Sequence, residues 1–357
     1  MEPTSRSSKK VYLPSTGLTL VALLLLVIIG LVIIDLVASA YIQRIVIGIG
    51  ISIILVVGLN LSNGLTGVFS LGQIGFMAIG AYSASILTLP LYTKSVNLPD
   101  LPGWLANIQM AFLPATIIAG VLAALVALIV GLSLMRLSGP YVSVATMGFL
   151  VIVQVILINW DTLTRGARTF AGVTPYTNLW WVWGWATLTI YVNWRLARSS
   201  FGRKMIAIRD NEIAAQSLGI NVMRSRLLAF TISAFFTAVA GSLWAHFIMS
   251  FSPKSFYFAQ TFSVITMLVV GGMGSVSGSI IGTVSISLLS EILRNAERGL
   301  DISFIHIPPV YGASQILMSI IFVLVIIFRP KGIMGGREIN ISHLWSKLFP
   351  IIDEEVK

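Results

Sequence analysis

The chain has 357 residues, of which 56% are hydrophobic and only 10% are charged, and its mean hydropathy is +0.92. A soluble domain carries roughly 25% charged residues, so this composition excludes an ordinary soluble enzyme and a disordered chain and indicates a polytopic membrane protein. The sequence has no cysteine, which excludes disulfides, thiolate metal ligands and thiol nucleophiles. We expect neither a metal ion nor a cofactor.

Apolar runs long enough to cross a bilayer follow one another along the chain. A helix rises about 1.5 Å per residue, so about 20 residues cross the hydrocarbon core of roughly 30 Å. No alternation of apolar and polar residues supports a barrel, and we predict an all-α polytopic transmembrane bundle of about ten spans. The predicted spans are 18–38, 45–59, 68–89, 110–134, 141–159, 179–194, 227–249, 261–273, 276–293 and 311–328. Two of them, 45–59 and 261–273, are short, as expected for broken helices buried in protein or lining a cavity.

The net charge of +10 is distributed as the positive-inside rule requires. With ten spans and both termini cytoplasmic, 16 of the 23 Lys and Arg residues fall in inner segments, seven in outer loops and none within a span. Phospholipid head groups therefore explain the basic excess better than nucleic acid does. We expect a transmembrane domain at 18–330 between cytoplasmic tails at 1–17 and 331–357. Ala38-Ser39-Ala40 resembles a signal-peptidase site, but the preceding apolar run is longer than usual, and we expect the first helix to be retained.

The largest segment predicted to be cytoplasmic, 195–226, carries a short amphipathic pattern. Apolar residues recur at helical spacing within 205–219, and Gly219 is a natural C-terminal stop for a helix. The small pair Ala214-Ala215 is preceded by Glu212 and followed, after three intervening residues, by Gly219. This pattern is similar to the cytoplasmic motif of ABC importer permeases. Small residues let a short helix enter a partner's groove, so the loop is a candidate docking element. The alternative is a solvated loop that only sets topology.

Glycine-rich segments mark two further candidate sites. The segment 58–75 interrupts two apolar runs with neutral amides and hydroxyls, as the broken helices that line transporter pathways do. Neutral dipoles can pass a zwitterion without trapping it, and the pathway candidates are Asn60, Ser70 and Gln73. The alternative is a turn with small-residue helix packing. At the other site, Gly274, Gly278 and Gly282 have the spacing of close helix packing, which is the interpretation we adopt there.

Six short motifs follow one another between residues 50 and 335. They are Gly58-Leu59-Asn60-Leu61, Ser70-Leu71-Gly72, Ile79-Gly80-Ala81-Tyr82, Arg209-Asp210-Asn211-Glu212-Ile213-Ala214-Ala215, Gly271-Gly272-Met273-Gly274-Ser275 and Phe328-Arg329-Pro330-Lys331-Gly332. In this order and spacing they resemble the permeases of branched-chain amino acid ABC transporters, and they are most similar to the M-type subunit. Many relatives have His after Ser-Leu-Gly, where this chain has Gln73, so a role that needs a titratable group is not expected there.

The resemblance implies a membrane-spanning subunit that forms the translocation pathway for branched-chain or other neutral amino acids. The implied partners are a second homologous permease subunit, two cytoplasmic ABC ATPase subunits and an extracytoplasmic solute-binding protein, in the plasma (inner) membrane of a prokaryote. The residues implied in coupling to the ATPase are Arg209, Glu212, Ala214, Ala215 and Gly219. A related ABC importer permease for urea or short amides is the nearest alternative.

The residues also weigh against other classes of membrane protein. The sequence contains no Gly-x-x-x-x-Gly-Lys-[Ser/Thr], so it has no P-loop of its own. Asp35 and Glu291 are the only acidic residues within predicted spans, both near outer ends, whereas an ion-coupled secondary transporter usually buries carboxylates near the midplane. Three scattered His residues and no Cys provide no catalytic cluster for a membrane enzyme. Energy is therefore expected to come from a docked partner.

Overall fold

A computed structural model describes residues 16–297, 300–302, 305–307, 312–329, 332–335 and 338. The predicted tails at 1–17 and 331–357 lie mostly outside these residues. The described residues up to Gln43 belong to one compact unit, and Arg44–Glu338 form a second unit that contains every candidate site residue.

The fold is built from helices joined mostly by short connections. In chain order these are α1 Thr16–Val37, α2 Ala40–Asn60, α3 Gln73–Thr88, α4 Leu91–Asn97, α5 Gly103–Ala106, α6 Phe112–Leu134, α7 Pro140–Asn159, α8 Asp161–Thr164, α9 Leu179–Arg198, α10 Ser200–Asp210, α11 Glu212–Ser217, α12 Val222–Ile248, α13 Phe258–Gly271, α14 Val276–Glu297 and α15 Ala313–Phe328. A π-helical segment, Leu61–Leu65, continues α2, and a 3-10 turn, Pro253–Ser255, precedes α13. The predicted all-α class is confirmed, and each predicted span coincides with a helix.

Within the described residues, five helices are long and apolar enough to cross a membrane. They are Ala40–Leu65, Phe112–Leu134, Pro140–Asn159, Val222–Ile248 and Val276–Asn295. The pair α3 and α4, bent by 118°, makes a sixth if it is one broken span. The chain is therefore a multi-pass membrane protein.

Two sequence-based boundaries are wrong, and both errors involve asparagine. The span predicted at 45–59 is not short, because Ala40–Leu65 is one 26-residue helix that includes Asn60 and its polar neighbours. The amphipathic helix expected over 205–219 is two helices, α10 and α11, separated at Asn211. Asn60 is buried and satisfied by hydrogen bonds inside the fold, whereas Asn211 is exposed and caps α11, and a hydropathy pattern reveals neither role.

A small β-hairpin follows α14 and was not predicted. Strands β1 Leu300–Ile302 and β2 Ile305–Ile307 pair antiparallel, with Leu300 opposite Ile307 and Ile302 opposite Ile305.

Helix α12 lies at the centre of the second unit, packed against α3 and α6. Gly80 and Gly241 allow this close approach, because a Cβ at either position would clash with the backbone oxygen of Ala238 or Met77 on the facing helix. Buried polar pairs cross the same contacts: Thr116 Oγ1 lies 2.8 Å from Ser242 Oγ on the α6 side, and Thr88 Oγ1 lies 2.7 Å from His246 Nε2 on the α3 side.

A C-terminal segment closes the turn between α13 and α14. The backbone N–H groups of Ile333 and Met334 donate to the carbonyls of Val270 and Gly271 at 2.8 and 3.1 Å. The Glu338 carboxylate accepts from the first backbone N–H of α14, at Val276, at 2.6 Å. Anions stabilise helix N-termini, so Glu338 acts as a cap for α14 supplied from outside the helix.

Candidate functional site

The loop that carries the candidate coupling motif is shaped by local caps. The Asn211 side chain accepts from the backbone N–H of Ala214 at 3.0 Å and so starts α11 as an N-cap. At the other end Gly219 adopts a positive φ of 78°. The N–H groups of Gly219 and Ile220 donate back to Gln216 and Ala215, which is the paired hydrogen bonding of a Schellman motif. Gly219 therefore ends the helix, as the sequence predicts.

One face of α11 is fixed to the rest of the fold. Ala215, with 2% of its surface exposed, packs with Ile208 of α10 and Val222 of α12. Glu212 forms a salt bridge with Arg226 of α12, with 2.7 Å between Oε2 and Nη2. Because the Arg226 side chain is only 9% exposed, this pair holds α11 against a partly buried charge.

The other face of α11 is open. Ile213 and Leu218 are 78% and 80% exposed, and Ala214 is exposed beside them. A Cβ built on Gly219 meets no atom within 4 Å. We call Ile213, Ala214, Leu218 and Gly219 the docking face. Most of the surface of its two large apolar side chains therefore faces away from the described part of the chain.

Arg209, at the end of α10, reaches the π-helical segment at the end of the helical run Ala40–Leu65, and we call the end of this run the helix break. Its Nη1 donates to the carbonyl oxygen of Gly64 at 3.0 Å, and its Nε and Nη2 donate to Asp210 Oδ1 at 3.2 Å. Two glycines leave room for this side chain: a Cβ on Gly67 would lie 2.9 Å from Arg209 Cγ, and one on Gly274 would lie 2.5 Å from Nη1. Arg209 thus fills the space between two turns that are more than 200 residues apart in the chain.

Apolar contacts accompany this hydrogen bond. Met205 of α10, 1% exposed, packs against Leu61 and Leu65 of the π-helical segment and against Ala229 of α12. Helix α10 is therefore attached to the π-helical segment by both packing and polar contact.

The pathway candidate Asn60 bridges the same region. Its Oδ1 accepts from the Gly274 N–H at 2.8 Å, and its Nδ2 donates to the Ser275 carbonyl at 3.2 Å. Asn60 is 2% exposed. The structure therefore brings Asn60, Gly64, Gly274 and Arg209 together into one group, which we call the junction.

The candidates Ser70 and Gln73 lie on the α3 side of the break. Gln73, 4% exposed, donates from Nε2 to Ser62 Oγ at 3.2 Å and accepts from Thr237 Oγ1 at 3.3 Å. The backbone N–H of Ser70 donates to Asn63 Oδ1, and the Ser70 carbonyl accepts from Asn63 Nδ2. The Ser70 hydroxyl has no hydrogen-bond partner among the described residues. These contacts agree with the packing alternative for the polar segment, and contact with solute stays a prediction.

The glycines expected to form a packing stripe divide into two sets. A Cβ on Gly278 or Gly282 would clash with the α13 backbone around Gly271, so both lie at the close contact of α13 with α14. Gly274 differs from the expectation, because it precedes α14 and has a φ of 90° in the turn. Its lack of a side chain serves Arg209 rather than helix packing.

Sequence reasoning missed three residues of this region: Met205, Arg226 and Thr237. Arg226 was counted only as a topogenic charge, although it lies 14 residues after its partner Glu212. Sequence patterns reveal charge pairs three or four residues apart on one helix, whereas Glu212 and Arg226 lie on two different helices.

The chain is similar in sequence to known membrane transport proteins. A sequence model of the family described as branched-chain amino acid transport system / permease component matches residues 41–328. The high-affinity branched-chain amino acid transport system permease protein LivM of Escherichia coli (strain K12) is 30% identical over 319 residues, covering 80% of this chain and 68% of that protein.

More distant relatives include permeases of other solutes. The probable branched-chain amino acid transport permease protein LivM of Methanocaldococcus jannaschii is 27% identical over 181 residues, covering 48% of this chain and 51% of that protein. The autoinducer 2 import system permease protein LsrC of Klebsiella pneumoniae subsp. pneumoniae is 31% identical over 169 residues, covering 42% and 47%. No solved structure matches the chain significantly. By the family match along residues 41–328 and the likeness to the Escherichia coli protein, the chain belongs to the family of branched-chain amino acid transport system permease components.

Proposed function

We propose that this chain is the membrane-spanning permease subunit of an ABC importer and forms part of the pathway for branched-chain or other neutral amino acids. The supporting observation is the docking face. Ile213 and Leu218 expose most of their surface on a six-residue helix whose opposite face is fixed by Ala215 and Glu212. An apolar face on a rigidly held short helix suits the groove of a partner protein.

The partners proposed are two cytoplasmic ATPase subunits, a second homologous permease subunit and an extracytoplasmic solute-binding protein. The ATPase subunits are assigned to the docking face, because this chain has no P-loop with which to hydrolyse ATP itself. The neutral solute class is supported by the absence of any charged residue from the segment 58–75.

A substitution at Gly219 tests docking. Gly219→Trp places a large side chain in the open space beside Leu218, and we expect ATPase subunits of the same organism no longer to co-purify with the permease. Trp also loses roughly 1–2 kcal/mol at the positive φ, as most L-residues do. Gly219→Asn is the matched control, since Asn tolerates this conformation and adds little volume.

The readouts are the amount of permease in the membrane, ATPase recovered with it, and leucine uptake in reconstituted vesicles. Gly219→Asn should keep all three close to wild type, whereas Gly219→Trp should keep only the first. Full ATPase recovery with Gly219→Trp would refute the docking face. Uptake of urea or autoinducer 2 instead of leucine by the intact complex would leave the docking face in place and replace the proposed solute.

The proposed orientation places both termini and the α10–α11 loop in the cytoplasm of a prokaryotic cell. Because the chain has no cysteine, single cysteines report this directly. We expect an impermeant thiol reagent added to intact cells to label Tyr92→Cys, on the exposed surface of α4, but not Lys204→Cys, which is exposed on α10. The opposite result would reverse the orientation.

A further inference from the structure

We infer that Arg209 does not bind the ATPase but is a positioning residue that transmits movement of the docked loop to the helix break and to the turn before α14. This inference rests on the proposed function, because it assumes that α11 is the element that the ATPase moves. Its basis is the juxtaposition of the Arg209 guanidinium with the Gly64 carbonyl and the Gly274 turn.

The hydrogen bond to Gly64 satisfies a group that the helix break leaves open. The last carbonyls of a helix have no intrahelical partner, and the helical run ends at Leu65. Arg209 supplies the donor from another element at 3.0 Å and places a positive charge at the negative end of the helix dipole. The position of this helix end therefore depends on where α10 holds Arg209.

The contact is also tight enough to transmit a displacement. A Cβ on Gly67 or on Gly274 would press on the Arg209 side chain, so both turns lie directly against it. Met205 fixes the preceding turn of α10 to Leu61 and Leu65. Asn60 then joins the π-helical segment to the Gly274–Ser275 turn through two hydrogen bonds.

The loop helices move as a pair in this scheme. Ala215 and Ile208 pack α11 on α10, so a pull on the docking face acts on α10 as well. The Asp210 carboxylate holds the fork of the guanidinium, which leaves Nη1 aimed at Gly64. The physical path therefore runs from α11 through α10 and Arg209 to the junction, and from there to α14.

The test replaces Arg209 and follows the turn that it touches. A spin label on Met273→Cys, an exposed position next to Gly274 in an otherwise cysteine-free chain, reports movement of the turn. In the complex with ATPase subunits and solute-loaded binding protein, we expect ATP to change the spectrum of this label. In Arg209→Met we expect ATPase recovery equal to wild type, loss of the ATP-dependent spectral change, and at least a tenfold loss of solute-stimulated ATP hydrolysis.

Arg203→Met is the matched control. Arg203 lies on the same helix and is exposed, and it donates hydrogen bonds to the Arg198 carbonyl and the Ser200 hydroxyl, both nearby in the chain. It should leave binding, spectrum and stimulation unchanged. If Arg209→Met is not recovered as folded permease in the membrane, Arg209→Gln, which has a shorter neutral side chain, takes its place with the same expectation.

Each outcome separates the two hypotheses. Normal stimulation and a normal spectral change in Arg209→Met would overturn the role of Arg209 while the proposed function stands. Loss of ATPase recovery in Arg209→Met would also overturn it, because Arg209 would then belong to the docking contact. Failure of the unsubstituted permease to recover any ATPase would instead refute the proposed function itself.

Discussion

The bridge that Asn60 makes to the Gly274–Ser275 turn predicts a measurable loss of stability when its amide is removed. Asn60→Ala removes the acceptor of the Gly274 N–H and the donor to the Ser275 carbonyl. Ser275 is fully buried and Gly274 is half-buried, so water replaces the lost partner only in part. The Ser275 carbonyl keeps the backbone N–H and the hydroxyl of Ser279 as donors, at 3.2 and 2.9 Å, so the variant loses two hydrogen bonds without leaving that carbonyl unpaired. Each lost hydrogen bond contributes about 0.5–1.5 kcal/mol. The expected loss in the free energy of unfolding is roughly 1–3 kcal/mol.

This loss converts into a measurable shift of the unfolding midpoint. At about 2.1 cal/mol/K per residue, the roughly 300 residues of the unit Arg44–Glu338 give an unfolding entropy of about 0.6 kcal/mol/K. We therefore expect Asn60→Ala to lower the apparent midpoint by roughly 2–5 °C. The nine tryptophans provide an intrinsic fluorescence signal for the detergent-solubilised protein.

A matched deletion on the surface provides the control. Asn159 is exposed, and its side chain donates within α7 to the Val155 carbonyl. Asn159→Ala should change stability by no more than about 0.5 kcal/mol, a shift below about 1 °C. If the midpoint of Asn60→Ala lies within about 1 °C of wild type while uptake per assembled complex falls, the bridge does not stabilise the fold and Asn60 acts on the solute instead.

Two further substitutions test the polar break and the loop anchor. Gln73→Asp places a charge between Ser62 and Thr237 at about 2.5–3.5 kcal/mol on insertion scales, so less folded protein should be recovered; normal recovery with reduced uptake per complex would place Gln73 in the pathway. Glu212→Gln leaves the Arg226 charge without its partner and should cost about 1–3 kcal/mol, because Glu212 is 32% exposed and water replaces part of the contact. The unfolding midpoints of Glu212→Gln, of Arg226→Met and of the double variant measure the coupling between the two residues, and additive effects would contradict a stabilising pair.

The helices and the end of the docking loop were predictable from local patterns. Runs of apolar residues located the spans, and Gly219 marked a helix end because only glycine adopts a positive φ without strain. The break at Asn211 was not predictable from periodicity, since the apolar spacing continues across it. Asn211 starts the new helix by accepting a hydrogen bond from the Ala214 N–H. The new helix direction is favoured because it packs Ala215 on Ile208, a contact that the sequence alone does not show.

The junction was beyond the reach of sequence reasoning because its members are distant in the chain. Asn60 and Ser275 are 215 residues apart, and Arg209 and Gly64 are 145 residues apart. Neutral amides in a glycine-rich segment are compatible with a solute pathway and with an internal bridge alike. The partner of each side chain separates these two interpretations, and that partner is set by how α2, α10 and α14 meet.

The closure of the α13–α14 turn by the C-terminal segment has a consequence for the order of synthesis. The two helices leave the ribosome well before Ile333, Met334 and Glu338, so the turn first exists without its added backbone hydrogen bonds and without the cap on α14. Because the same turn receives Asn60 and lies against Arg209, the junction cannot reach its final form until the last part of the chain has been made. A nascent permease therefore carries an incomplete α13–α14 turn through membrane insertion until Ile333, Met334 and Glu338 make their contacts.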